Sequence, residues 1–242
     1  EERKRILGAE TPMWSELVTK ETIDSRIWPR TAAIAERYWS KKEVTDIDNM
    51  LKRLQVVSNN LEELGITHLK NKDVILRKIS NNQNHTALES LSNICEPVKI
   101  YSRNKGGIEY NSFSPFTLFA DACTADAKDA ITFNNEVALF LKNKEKKHLK
   151  IINKFLKSWI NNYTGFSKMD SNSKISSLEP LSKNLSSISK IIYNSLQENN
   201  INMKDLEKTK KLITELKKPY QDVELMGTES FNLLIDYCNT NK

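Results

Sequence analysis

Apolar residues recur at three- and four-residue steps along most of the chain, and this spacing predicts a protein that is mainly α-helical. The pattern is clearest before Gly65, at Ile47, Met50, Leu51, Leu54, Val57, Leu61 and Leu64. Asp46 is suited to cap the start of this helix and Gly65 to end it. We therefore expect a helix over about residues 47–64.

Further helical patterns fill the chain after residue 68. Two short ones fall within residues 69–95, and longer ones resume after residue 115, at Ala127–Leu141, Leu149–Trp159, Ile175–Leu196, Leu206–Leu216 and Thr228–Cys238. Each apolar stripe covers about a third of its helix, so these helices must bury one another in a bundle. Trp159 lies on such a stripe, which favours a core anchor over a platform for a ligand.

Residues 96–115 interrupt the helical pattern with two prolines and the only Gly-Gly pair in the chain. This composition predicts an extended connector and a domain boundary. Tyr101, Arg103 and Tyr110 on it could reach a partner surface, although exposed linker residues are the commoner case.

The first 40 residues follow a different pattern. Ile6 to Ala9 form a short apolar run that ends at the polar Glu10 and Thr11, which predicts a brief buried strand followed by a turn. Pro29 then favours a helix start, and the alanine-rich sequence after it predicts a helix packed closely against a neighbour. A strand, a polar loop and a helix in this order are typical of one βα unit.

Trp14 and Glu16 lie in the polar loop of this unit, two residues apart. In an extended segment both side chains project from the same side. An aromatic ring can cover the apolar face of a sugar while a carboxylate accepts hydrogen bonds from its hydroxyl groups. The alternative is that Trp14 is a buried anchor and Glu16 a solvated charge.

Composition and charge narrow the choice of function. The chain has only six glycines and six prolines among 242 residues, and 28% of its residues are charged, which again favours long helices. Its net charge of +6 is modest, and the one basic cluster, residues 142–150, is typical of a solvated helix face or linker. A nucleic-acid or acidic-partner patch is the minority interpretation, so we exclude nucleic acid as the main partner.

The residues that commonly bind metals are scattered. Cys95, Cys123 and Cys238 show no metal or redox spacing, and an odd number of cysteines does not make a disulfide framework. The three histidines include no pair at helical ligand spacing, so no metal or other cofactor is expected. The chain also lacks an apolar run long enough to span a membrane.

The segment from Gly8 to Ser40 resembles the end of the catalytic barrel in glycoside hydrolase family 20, the β-N-acetylhexosaminidases. That family has a Gly-Gly-Glu-type turn, a Trp-x-Glu pair and an R-[LI]-W-P-R-x-x-A-x-x-E-R-x-W-S helix. The matching residues here are Gly8, Ala9, Glu10, Trp14, Glu16, Arg26, Ile27, Trp28, Pro29, Arg30, Ala33, Glu36, Arg37, Trp39 and Ser40. Ala9 departs from the usual second glycine. The likeness continues through the helix before Gly65-Ile66 to about residue 68.

This resemblance implies a parent (β/α)₈ barrel in which Trp14 and Glu16 lie on the last βα loop and bind N-acetylhexosamine. It also implies substrate-assisted hydrolysis, in which an aspartate orients the substrate's acetamido group and an adjacent glutamate protonates the leaving oxygen. The chain contains no Asp-Glu pair. We therefore expect the C-terminal part of a longer hydrolase, inactive alone, that completes its sugar site with upstream barrel residues. The family suggests a periplasmic, cell-surface or secreted location.

The expected organisation has four parts: residues 1–40, the last strand and helix of a TIM-barrel catalytic domain; 41–95, a barrel-closing helix and a helical hairpin; 96–115, the connector; and 116–242, a C-terminal helical bundle. Two alternatives remain open. One is a stand-alone helical interaction or structural module without catalytic activity, and the other, with the least support, is a basic binding protein.

Overall fold

The protein is described here by a computed structural model, which covers residues 2–15, 18–99, 118–170 and 173–240. The fold is mainly helical, as the apolar spacing predicts. The chain folds into two compact units, residues 1–74 and 75–242.

The first unit contains a 3₁₀ turn and three α-helices, and a fourth helix begins in it. The turn is Glu2–Arg5, and the helices are α1 (Ile23–Ile27), α2 (Arg30–Trp39), α3 (Ile47–Glu63) and α4 (Lys70–Ile79). The predicted ends of α3 are confirmed. The Asp46 carboxylate accepts a hydrogen bond from the backbone N–H of Asn49 at 3.0 Å, and Gly65 follows the helix with a φ of +95°. That φ suits glycine, which lacks a Cβ.

The prediction of a buried strand at Ile6–Ala9 is wrong. These residues belong to no helix or strand, and Ile6 and Leu7 are 70% and 100% exposed. A strand requires a neighbour to accept and donate its backbone hydrogen bonds, and the described residues of the first unit contain no other strand. The local sequence favours extended backbone here, but nothing in this unit pairs with it.

The second unit is a helical bundle with one small sheet. Its helices are α5 (Thr86–Ser92), α6 (Phe119–Ala122), α7 (Lys128–Asn143), α8 (Lys146–Ile160), α9 (Asn162–Phe166), α10 (Ser173–Ser176), α11 (Glu179–Glu198), α12 (Met203–Leu216) and α13 (Thr228–Thr240). Strand β1 (Cys95–Pro97) pairs antiparallel with β2 (Val223–Leu225), so that Glu96 lies opposite Glu224.

The start of the predicted connector therefore belongs to this small sheet. Glu96 and Pro97 are part of β1, which the sequence pattern did not predict. Residues 100–115 of the connector, with Tyr101, Arg103 and Tyr110, lie outside the described residues.

The core of the second unit forms around α11, which packs against α8, α9, α12 and α13. Trp159 is fully buried, as predicted for a core anchor. Its ring centroid lies 4.9 Å from that of Phe133 in an edge-to-face arrangement, and Phe231 contacts both rings. All three cysteines are buried thiols that form no disulfide, and burial raises the pKa of the Cys238 thiol to about 11.

One buried carboxylate joins the small sheet to the helices. Glu96 accepts hydrogen bonds from the backbone N–H groups of Asp126 and Ala127, both at 3.1 Å, at the N-terminal end of α7. The ammonium of Lys99 lies 3.2 Å from the other oxygen of this carboxylate. A negative charge is favourable at a helix N-terminus, so Glu96 fixes β1 to the start of α7.

The basic cluster at residues 142–150 lies where α7 ends and α8 begins. Its lysines are exposed, as expected for a solvated helix face, whereas His148 is buried with its Nδ1 2.7 Å from a carboxylate oxygen of Glu136. No helix among the described residues has the length and apolar character needed to cross a bilayer. The described ranges also contain no group of three His, Cys, Asp or Glu residues placed to bind a metal.

Candidate functional site

Trp14 lies in the segment 6–15, which contains neither helix nor strand, and its side chain is 73% exposed. The buried-anchor alternative for Trp14 therefore does not hold in this structure. The segment contacts α2 through a 3.2 Å hydrogen bond between the hydroxyl groups of Thr11 and Tyr38. Glu16, the second predicted binding residue, lies outside the described residues.

Asp24 in α1 connects the chain after Trp14 to Thr67. One oxygen of its carboxylate accepts hydrogen bonds from the backbone N–H of Thr67 at 2.7 Å and from the Thr67 hydroxyl at 2.8 Å. The side-chain amide of Asn71 donates to the carbonyl of Glu21 at 3.0 Å. These contacts hold α1 against the start of α4, and they give the loop that contains Trp14 a fixed C-terminal end.

Two charged residues of the motif helix α2 have structural partners. Glu36 forms a two-pronged ion pair with Arg53 of α3, in which Arg53 Nη2 donates to Glu36 Oε1 at 2.9 Å. The hydrogen bond from Arg53 holds the pKa of the Glu36 carboxyl below its usual value. Arg37 donates to the carbonyls of Lys41 and Val44 after the helix. Glu36 and Arg37 thus fix α2 to its surroundings.

The first unit also exposes large apolar side chains. Besides Trp14, Trp39 at the end of α2 is 91% exposed and Leu64 after α3 is 81% exposed. Four further apolar residues on α3 are also exposed, namely Ile47, Leu51, Val56 and Val57. Helix α2 has no fully buried residue. Exposed apolar side chains that form a contiguous patch usually mark a surface that binds another protein surface or a ligand.

The structure brings together one pair that the sequence did not single out, Ser58 of α3 and His68. The Ser58 hydroxyl lies 2.6 Å from Nε2 of His68, and both residues are buried. Within the described part of the chain, Nδ1 of His68 has no hydrogen-bond partner. Burial lowers the pKa of His68, although Glu62 and Asp24 oppose that effect. Without access to substrate and without a carboxylate on Nδ1, this pair is structural.

Comparison with known proteins links the first unit to one enzyme family. Residues 1–42 match the family described as glycosyl hydrolase family 20, catalytic domain. A probable β-hexosaminidase (fdl) of Drosophila melanogaster is 42% identical over 69 residues, which is 26% of this chain and 10% of that protein. The β-hexosaminidase subunit beta of Sus scrofa is 42% identical over 65 residues, which is 27% of this chain and 12% of that protein.

A solved structure extends the similarity over nearly the whole chain. The X-ray structure of a Flavobacterium johnsoniae chitobiase matches with a TM-score of 0.90 and 48% sequence identity. The match covers 97% of this chain and 36% of the chitobiase chain. The chain thus spans about a third of that structure, and its matched segments make up only 10% to 12% of the two curated relatives.

Proposed function

We propose that the chain is the C-terminal part of a glycosyl hydrolase family 20 enzyme that removes terminal β-linked N-acetylhexosamine, because residues 1–42 match the catalytic domain of that family and a chitobiase structure matches nearly the whole chain. The chitobiase match supports this proposal, because it extends beyond the catalytic motif through the helical second unit. The substrate class is that of N-acetylglucosaminides and N-acetylgalactosaminides.

The observation that carries the proposal is the exposed ring of Trp14 within the segment that matches a catalytic domain. Large aromatic side chains are mostly buried, so an indole left open to solvent needs a partner. A pyranose ring offers an apolar C–H face that fits such a surface. In the proposed site Trp14 covers this face, and Glu16 accepts hydrogen bonds from hydroxyl groups remote from the scissile bond.

The proposed reaction is substrate-assisted retaining hydrolysis. The acetamido oxygen of the substrate attacks the anomeric carbon while a glutamic acid protonates the leaving oxygen, and an adjacent aspartate orients the acetamido group. This chain has no Asp-Glu pair to perform those steps. Its residues would bind and orient the sugar next to acids supplied by the upstream barrel, and no cofactor is required.

The exposed apolar side chains of the first unit fit the same proposal. Leu7, Trp39 and Leu64 would be buried if the rest of a barrel packed over them, with a stabilisation of about 25 cal/mol per Å² of apolar surface covered.

A second candidate function is a helical interaction module without catalytic activity. It is favoured by the continuous core of the second unit, which runs from Ile75 to Cys238. On the leading proposal this unit instead supports the barrel.

The proposal is tested by comparing the protein encoded by the complete reading frame with the 242-residue chain. Release of a chromophore from an aryl N-acetyl-β-glucosaminide is expected from the longer protein, and the isolated chain should release none. A longer protein without an Asp-Glu pair or without activity would contradict the hydrolase proposal. Hydrolysis by the chain alone would mean that its catalytic acids lie among these 242 residues.

A further inference from the structure

A cleft of about 520 Å³ lies in the second unit, bounded by the turn before α5, the end of α8, and α9 with the turn after it. Its volume falls in the range typical of small-molecule sites. None of its lining residues belongs to the segment that contains Trp14. All of its lining residues belong to the second unit.

The walls of the cleft carry uncharged hydrogen-bonding groups. Side-chain amides line it at Gln83, Asn84 and Asn161, and hydroxyl groups line it at Thr86, Ser90 and Ser158. Among the described residues, no acidic side chain lines the cleft and Lys168 is its only charged lining residue. A site with one cation and many neutral donors and acceptors matches a neutral, hydroxyl-rich ligand better than a multiply charged anion, which usually requires several cations.

Hydrogen bonds with the surrounding structure orient part of this lining. The carbonyl oxygen of the Gln83 side chain accepts from the backbone N–H of Asp170 at 2.8 Å, and that of Asn84 accepts from the N–H of Thr86 at 3.0 Å. Because the carbonyl oxygens hold these amides in place, their NH₂ groups are oriented donors.

Helices α5 and α9 form the base of the cleft, and they are held tightly together. The buried side-chain amide of Asn162 donates to the carbonyl of Ala87 at 2.8 Å and accepts from the Ser182 hydroxyl at 2.5 Å. Gly165 permits a close approach, since a Cβ at this position would lie 3.3 Å from the Cβ of Ala87. A rigid base reduces the conformational entropy lost when a ligand binds.

Ser90 and Asn161 are two polar lining residues with different surroundings. The hydroxyl of Ser90 is shielded from solvent and has no hydrogen-bond partner among the described residues. The side chain of Asn161 precedes α9 but makes no capping hydrogen bond to it. A ligand hydroxyl that both donates and accepts could form hydrogen bonds with the exposed side-chain amide of Asn161.

From these observations we propose that the cleft of the second unit binds a small neutral saccharide. The inference goes beyond the proposed hydrolase function, because it depends on the helical second unit and on none of the motif residues. Such a site would hold a saccharide chain near the enzyme without cleaving it.

The test uses the isotope-labelled 242-residue chain, titrated with N,N′-diacetylchitobiose and observed by NMR. Saturable shifts of the backbone amides of residues 83–90 and 158–169 are expected, and they should persist in the Trp14→Ala variant. Persistence would separate this site from the proposed active site, whether or not the hydrolase proposal holds. Absence of saturable shifts at these residues with tens of millimolar disaccharide would overturn the proposal.

Matched variants identify the chemistry of the site. Asn161→Ala removes an exposed amide from the cleft and should weaken binding about 5- to 10-fold, the effect of one lost hydrogen bond. Asn194→Ala removes an exposed amide from α11 outside the cleft and should leave binding unchanged. Equal effects of the two variants would contradict the assignment.

Lys168→Gln distinguishes a saccharide site from an anion site. The variant should retain most of the affinity for the neutral disaccharide. Inorganic phosphate serves as the anionic probe. If phosphate binds the wild-type cleft more tightly than the disaccharide does, and if Lys168→Gln abolishes phosphate binding, the cleft is an anion site and the proposal is overturned.

Discussion

At the residue scale, His68 is the side chain whose surroundings most clearly affect stability. It is buried, Nε2 is bonded to Ser58, and Nδ1 has no partner among the described residues, so the charged imidazolium is disfavoured in the folded state. Burial accordingly lowers the pKa of His68, against the opposing effect of Glu62 and Asp24. The folded protein therefore favours the neutral ring.

The stability contributed by His68 should consequently depend on pH. Because its pKa is lower in the folded state than the ordinary value of about 6.5, the unfolded state binds more protons below that pH. The full contribution is present above about pH 6.5, and the free energy of unfolding should decline as the pH falls below it. Denaturant titrations between pH 5 and pH 8 measure this slope.

Two histidine variants test whether His68 causes the decline in the free energy of unfolding at low pH, one as the test and one as its control. His68→Gln should reduce it, whereas His85→Gln leaves His68 in place and should keep it. An unchanged slope in His68→Gln would show that another group is responsible.

The sequence identified the residues of the motif but not the partners of its charged side chains. Glu36 and Arg37 stand side by side in the pattern, yet one binds Arg53 of α3 and the other binds carbonyls beyond α2. These partners depend on how two helices cross, which hydrophobic spacing does not specify. The exposure of Trp14 agrees with a ligand-binding residue, and its contact with a sugar remains a prediction.

At the element scale, the helical patterns were predictable, including the two short helices within residues 69–95, whereas strands β1 and β2 and the short helix α9 were not. The patterns predicted α3, α7, α8, α11 and α12, because burial of one face requires the same 3.6-residue period throughout each helix. Strands β1 and β2 have three residues each, which is too short to show an alternation of apolar and polar residues. They also lie far apart in the sequence, so the sequence pattern does not reveal their pairing. At Ile6–Ala9 the sequence predicted a strand that the structure lacks, because the described residues of the first unit provide no partner strand.

The N-cap of α3 supports a direct test at this scale. Asp46→Ala removes the carboxylate that accepts from the N–H of Asn49 and should lower the free energy of unfolding of the first unit by about 1 kcal/mol. Asp48→Ala is the matched control, because it removes a first-turn charge but leaves the cap, and should cost less. Thermal unfolding followed by circular dichroism measures both. A cost for Asp48→Ala equal to or above that of Asp46→Ala would contradict the capping role.

At the scale of the whole molecule, the two units differ in how completely they bury their apolar residues. The second unit surrounds a continuous core, whereas the first exposes Leu7, Trp14, Trp39 and Leu64. The first 42 residues match a catalytic domain, so the unit with the most exposed apolar side chains also contains the catalytic-domain segment. This coincidence is the basis for proposing that the first unit completes a sugar site.

The central claim is that Trp14 and Glu16 bind the sugar beside acids that lie outside this chain. It is tested most directly by kcat/KM of the full-length enzyme on an aryl N-acetyl-β-glucosaminide, with Glu16→Ala and Trp14→Ala compared with Glu43→Ala. Loss of about 1–3 kcal/mol of transition-state binding would lower kcat/KM roughly 5- to 150-fold in the first two variants. Glu43→Ala should leave it unchanged, because Glu43 is exposed and lies after the motif. Wild-type kcat/KM in both site variants would contradict the account.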